Sequence, residues 1–261
     1  MMKKFLSYAI PSALAMFISS LYTVIDGIFV GQGVGDLALA AVNVVIPLTI
    51  MLFGMATMFA VGGGALISKN FGSGNIQNAN VMFRQVFKFL LILSLFISII
   101  CFLFTGPIVK GLGATPDLYE SAKIYLRFYS IFCIPNIIGI ALNSFIRNDG
   151  NPKLAMIATI SGAITNIVLD YLFIFPLQLG LFGAALATGL GQLVTVSILL
   201  IHFIRRQGQL RFGNVKLDFK IIKEFSNIGF PSFFAEAAFS VIIYLTNLAL
   251  ITTVGEAGIT T

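Results

Sequence analysis

Long apolar runs alternate with short polar connections along the whole chain, and each run is long enough to cross a bilayer as a helix. Seven spans are predicted, at roughly 5–31, 44–68, 83–105, 119–146, 153–175, 182–204 and 226–252. The connections are rich in breakers: Gly31-Gln-Gly-Val-Gly-Asp36, Phe71-Gly-Ser-Gly-Asn75, Gly111-Leu-Gly-Ala-Thr-Pro-Asp117 and Asn148-Asp-Gly-Asn-Pro152. A membrane β-barrel would show alternating segments of about 10 residues instead, and the chain has none. The predicted fold is all-α, a polytopic membrane helical bundle of six spans with a seventh span of an incomplete second lobe.

Composition agrees with the pattern. Of 261 residues, 58% are hydrophobic and 10% charged, and the mean hydropathy is +0.99. A soluble domain carries about 25% charged residues. Cys101 and Cys133 lie inside apolar runs, so neither a disulfide framework nor a metal knuckle is expected. His202, the single histidine, ends a run and is given a structural or solvated role. The N-terminal Met-Met-Lys-Lys-Phe resembles a secretory signal, but its apolar stretch continues to about Val30 and reads as the first span.

The net charge of +6 is assigned to cationic loops rather than to a nucleic-acid partner. With the N-terminus in the cytoplasm, 13 of the 16 Lys and Arg residues fall on the inside. The exceptions are Lys110 and, on the first turns of span four, Lys123 and Arg127. The positive-inside rule thus predicts a multi-pass plasma (inner) membrane protein with a cytoplasmic N-terminus.

A weak repeat sets the domain organisation. Ile10-Pro-Ser-Ala-Leu-Ala15 recurs as Phe230-Pro-Ser-Phe-Phe-Ala235, and at the same offset of 220 Gly35-Asp36 falls on Gly255-Glu256. The expected division is a six-helix lobe over 1–204, a basic cytoplasmic linker over 205–224, and the first span of a second lobe over 225–261. The rest of that second lobe is expected to be missing, ending at Gly258-Ile-Thr-Thr261.

Three carboxylates lie inside spans: Asp26, Asp170 and Glu236. On insertion scales an aspartate at a helix centre costs roughly 2.5–3.5 kcal/mol, so such groups need a proton, a hydrogen bond or a cation. Asn166 and Asp170 are one helical turn apart and share a face, as do Tyr22 with Asp26 and Thr188 with Gln192. Asn136, Gly139 and Asn143 form a stripe on span four. At about 1.5 Å per residue, Asp26, Asp170 and Thr188 fall at similar height in the outer half, and Asn143 lies further inward. Two carboxylates, an amide oxygen and a hydroxyl make a hard, all-oxygen site for Na+ or a shared proton. The competing reading is that the same groups only join helices.

These residues resemble the multidrug and toxic compound extrusion (MATE) family of cation-coupled antiporters. The stretch Arg147-Asn-Asp-Gly-Asn-Pro-Lys-Leu-Ala-Met156 continues through Asn166-Ile-Val-Leu-Asp170 to Gly183-Ala-Ala-Leu-Ala-Thr188. Asp26-Gly-Ile-Phe-Val-Gly31, Ala38-Leu-Ala-Ala41 and Ser68-Lys-Asn-Phe-Gly72 add to it. The resemblance implies two six-helix lobes and a first-lobe cation site in the prokaryotic DNA-damage-inducible-type branch. Asp26, Asn166, Asp170 and Thr188 match that site. Tyr22 and Asn143 match flanking polar positions, with Gln192 on the same face as Thr188. Pro11 matches a helix bend, and Glu236 matches an acidic position on span seven of other branches. The implied activity is export of cationic or amphipathic small molecules in exchange for Na+ or H+, with no other cofactor and with membrane lipid around the protein. The family has about twelve spans, so a separate or missing second lobe is the implied partner.

Alternatives remain open at this point. A flippase-like transporter of lipid-linked oligosaccharides in the same superfamily would want a basic cavity, and the spans offer only Lys123 and Arg127 near the surface. The chain would otherwise be a non-transporting fragment. Gly33-Val-Gly-Asp36 matches the short pattern of intramembrane aspartyl proteases, but Asp170-Tyr171 has the partner motif in reverse order. The chain is therefore not read as an enzyme.

Overall fold

The breakers of the sequence become helix caps. The structure is a computed structural model, and it describes residues 2–255. Its helices are α1 (Met2–Gly33), α2 (Asp36–Gly72), α3 (Ile76–Leu103), α4 (Thr105–Gly111), α5 (Pro116–Ile131), α6 (Cys133–Asn148), α7 (Pro152–Ile174), α8 (Gly180–Ile204) and α9 (Phe219–Val254). No strand occurs among the described residues. Asn75, Asn151 and Asp218 each cap a helix, their side chains accepting backbone N–H groups at 3.0, 3.2 and 2.9 Å. Pro116 and Pro152 take the first helical turn, where no N–H is needed. Glu256 and the residues after it lie outside the described residues, and the end of the repeat with them.

Among the described residues six helices are long and apolar enough to cross a membrane, and α5 with α6, bent by 53°, makes a seventh where the pair is counted as one span. The sequence predicts that crossing as one continuous helix over 119–146. Pro135 explains the break at Phe132: it lacks an N–H, and its ring crowds the carbonyl of Ile131. The short α4 is a second departure, with Pro107 in its first turn after the break at Phe104. Several helices also outrun their apolar stretches. α2 begins at Asp36 and α3 at Ile76, because caps and charges rather than hydropathy set those ends.

The core is built around α2. Its Gly62, Gly63 and Gly64 point about 100° apart, and each receives a different neighbour. A side chain at Gly62 would strike the Phe225 carbonyl of α9. At Gly63 it would press on Val86 of α3, 3.1 Å away, and at Gly64 on Asn148 of α6, 2.7 Å away. Gly229 of α9 answers Gly62, lying against the Met58 backbone. Small residues thus let these backbones approach where lipid gives no hydrophobic drive for helices to meet. Pro47 supplies the polar part of the same contact. It leaves the Asn43 carbonyl without its helical partner, and Asn247 of α9 donates to that carbonyl at 2.8 Å. Ser240 donates to the Pro47 carbonyl at 2.6 Å.

Residues 205–218 hold defined contacts with the lobe. They form a strap laid across one end of the lobe. Asp149 accepts the Gln209 and Leu210 amides at 2.7 and 3.1 Å. It also accepts His202 Nε2 at 2.8 Å, with both side chains buried. This is the structural role expected of His202. Asn80 donates to the Gln209 carbonyl at 3.0 Å and accepts the Arg211 amide at 2.6 Å. Gln85 holds Lys216 and Asp218 in the same double way, at 2.8 and 3.1 Å. Below the strap, Phe83 stacks on Phe203 at 5.3 Å and meets Phe145 edge-on at 5.7 Å. α9 begins at Phe219, within the 205–224 stretch.

Gly229→Ala forces α9 off α2 and is expected to cost about 1–3 kcal/mol, read as a lowered unfolding midpoint. Gly27→Ala, with open space around it, should leave the midpoint unchanged, and equal effects would refute the close crossing. For the orientation, Gly208 is unsuitable for a tag, because any side chain there would strike Asp149 and His202. The exposed Gln207 is suitable. Gln207→Cys should react with an impermeant thiol reagent from the cytoplasmic side only; labelling of intact cells would overturn the N-in arrangement.

Candidate cation site

The site begins with the packing of α7 on α8. Gly162 and Gly191 face each other there, and a side chain at Gly191 would meet the Gly162 carbonyl at 2.8 Å and Asn166 Cβ at 3.1 Å. This approach brings Asn166 of α7 to Thr188 of α8, Nδ2 to Oγ1, at 3.5 Å. Asn166 and Asp170 repeat at one helical turn, so Asp170 stands directly above on the same face. α1 packs along α7 and delivers Asp26. Asp26 and Asp170 thus face one another across the α1–α7 contact.

Asp170 is fully buried and Asn166 is 3% exposed. Asp26 Oδ1, Asn166 Oδ1 and both Asp170 carboxyl oxygens are buried and accept no hydrogen bond of good geometry among the described residues. Buried acceptors normally find a partner, and leaving one without costs about 1–3 kcal/mol. Carboxylate and amide oxygens are the donor type that hard cations and protons prefer. Asp26, Asn166, Asp170 and Thr188, the four residues singled out in the sequence, are thus brought together.

The flanking residues sort into two groups. Tyr22, Asn143 and Gln192 line a cavity of about 480 Å³ that also reaches Asn166 and Thr188. Asn143 is already engaged, donating to Thr159 Oγ1 at 2.9 Å and to the Ala155 carbonyl at 3.1 Å. Glu236 is elsewhere. It sits on α9 against Gly54 of α2, where a Cβ would lie 2.7 Å from its own. Pro11 is buried, and α1 runs unbroken through it. Asp36 is exposed in the first turn of α2, where a helix dipole favours a carboxylate.

Sequence reasoning missed two residues. Tyr125 of α5 is 8% exposed and lies in the field of both Asp26 and Asp170. Its only sequence signal is Tyr129 one turn later on the same face. Arg147 closes the far end of the cavity, donating to Ser12 Oγ at 3.1 Å. In the sequence it stands out as one of the inward charges and as the first residue of the Arg147–Met156 stretch, with no sign that it reaches the cavity. Lys123 and Arg127, the cations weighed for a basic cavity, are spent on rings instead. Lys123 lies 5.3 Å from Tyr119 and Arg127 4.8 Å from Phe102.

The MatE family model matches residues 11–172. Among curated proteins, the multidrug export protein MepA of Staphylococcus haemolyticus is 27% identical over 252 residues, which cover 96% of this chain and 56% of that protein. The chain spans about half the length of the curated relatives it matches. Among solved structures, the MATE multidrug transporter DinF-BH superposes with a TM-score of 0.93 at 30% identity, covering 99% of this chain and 58% of that one. A MOP superfamily transporter from Pyrococcus furiosus, described by the reverse polarity of its binding pocket, superposes at 0.86 with 27% identity, covering 98% and 57%.

The α7–α8 contact should set the position of Asn166, against which a Gly191 side chain would press. Gly191→Ala is expected to push Asn166 away and weaken Na+ binding about tenfold, or roughly 1.4 kcal/mol. Sodium-dependent thermal stabilisation of the purified protein reads the change. Undiminished sodium stabilisation in Gly191→Ala would show that the Asn166–Thr188 contact does not hold the cation.

Proposed function

The chain belongs to the MatE family, and from that premise we propose that it is the cation-coupling lobe of a secondary antiporter exporting cationic or amphipathic small molecules in exchange for Na+ or H+. The observation that carries the proposal is the set of buried oxygens without donors on Asp26, Asn166 and Asp170. Helix joining needs no such surplus of acceptors. A cation or proton arriving there satisfies the oxygens and draws α1 onto α7. The cavity beside the site holds Tyr22, Asn143 and Gln192 and gives a small molecule room next to Asn166 and Thr188.

Coupling then follows from linkage. Coupling ion and exported cation each favour the conformation in which they bind better, so each shifts the affinity for the other. Alternating access requires a second unit for the lobe to rock against, and that unit is the partner proposed for this chain. A flippase-like activity finds less support. The cavity has one cation, Arg147, and it is tied to Ser12 at the end away from the acid pair.

The test uses the lobe together with its second half. Asp170→Asn and Asp26→Asn are each expected to abolish efflux driven by a sodium or pH gradient. Asn166→Ala removes a neutral oxygen only, so it should raise the half-saturating cation concentration about tenfold and leave residual transport. Dye efflux from loaded vesicles at set gradients measures both. Wild-type rates in both aspartate variants would reduce the pair to a helix joint.

A further inference from the structure

Arg84 of α3 and Arg211 of the strap border one groove of about 580 Å³ at the strap end of the lobe. Each spends only part of its fork on the fold. Arg84 donates through Nε to the Arg211 carbonyl at 3.0 Å, and Arg211 donates through one terminal nitrogen to the Leu210 carbonyl at 2.7 Å. Packing fixes Arg84 in place, because a side chain at Gly213 would lie 2.7 Å from its guanidinium carbon. Lys88, one turn further along α3, lies outside the groove and donates to the Val215 carbonyl at 2.7 Å and to Asn214 Oδ1 at 3.3 Å. Among the described residues no carboxylate pairs with any of the three. The nearby acids are committed: Asp218 caps α9 and Asp149 holds His202 and the strap amides.

Like charges gathered at a half-buried site repel one another unless an anion joins them. Guanidinium forks match phosphate oxygens in both shape and charge. The groove lies on the first turns of α3, at the edge of its apolar run, which is headgroup height. Ile76 and Phe212 flank it, 44% and 40% exposed, and offer an apolar surface to an acyl chain. The expected orientation turns this end toward the cytoplasmic leaflet, where anionic lipids gather. We propose that Arg84 and Arg211 form a binding site for the phosphate of an anionic phospholipid, and that the bound lipid braces the strap against α3. The site shares no residue with the cation site, so the two readings stand or fall separately.

The test is the unfolding midpoint of the purified protein in detergent with phosphatidylglycerol, phosphatidylcholine or inorganic phosphate added. Phosphatidylglycerol is expected to raise it by about 3 °C, and phosphatidylcholine to leave it unchanged. Arg211→Gln should lose the gain, since the strap is held there by the residue-211 backbone rather than its side chain. Gln77→Glu, which puts a carboxylate into the groove from an exposed position, should lose it too, without touching the strap, and it serves if Arg211→Gln fails to fold. The proposal is overturned if inorganic phosphate gives the same gain, if phosphatidylcholine does, or if the gain survives in Gln77→Glu.

Discussion

Two carboxyl groups held side by side among apolar helices set the terms for this lobe. Asp26 and Asp170 come from helices 144 positions apart in sequence, and neither can be buried as a bare charge at tolerable cost. In the proposed function, what relieves them arrives from outside as a proton or a cation and leaves again. The surrounding architecture serves that requirement. The Gly162–Gly191 contact draws α7 and α8 together so that Asn166 and Thr188 face the pair. The cavity leaves a way in beside them.

Rigidity elsewhere makes the site's freedom useful. Three consecutive glycines on α2 seat α9, α3 and α6, and Asn247 satisfies the carbonyl that Pro47 leaves open. The strap ties α3, α8 and the α6–α7 turn into one end piece through Asp149, Asn80 and Gln85. In a two-lobe transporter, a strap fixed this firmly would carry the motion of one lobe to the start of the next helix. α9 follows it directly and packs along α2.

Much of this was legible in the sequence, and for identifiable reasons. Span number follows from apolar length, which the bilayer imposes. The Asn166–Asp170 pair was legible because a one-turn spacing fixes a shared face whatever the tertiary structure. What escaped depended on contacts distant in sequence. Pro135 breaks span four, yet Pro11, Pro47 and Pro231 lie inside unbroken helices, so proline alone does not mark a break. The contacts of the strap were not legible in the basic cytoplasmic linker read from the sequence, because its backbone partners, Asn80, Gln85 and Asp149, lie on other elements. Tyr125 approaches the acid pair only once the bend between α5 and α6 exists, and no local pattern announces that. Glu236 shared a residue type with the site but not its location.

Infrared difference spectroscopy of the purified protein, stepped in sodium and in pH, tests the central claim most directly. If Asp26 and Asp170 form a cation site, a protonated-carboxyl band should exchange for a carboxylate band as sodium or pH rises, and Asp170→Asn should remove that exchange. A carboxyl region that stays constant through both steps, or one that responds identically in Asp170→Asn, would contradict it.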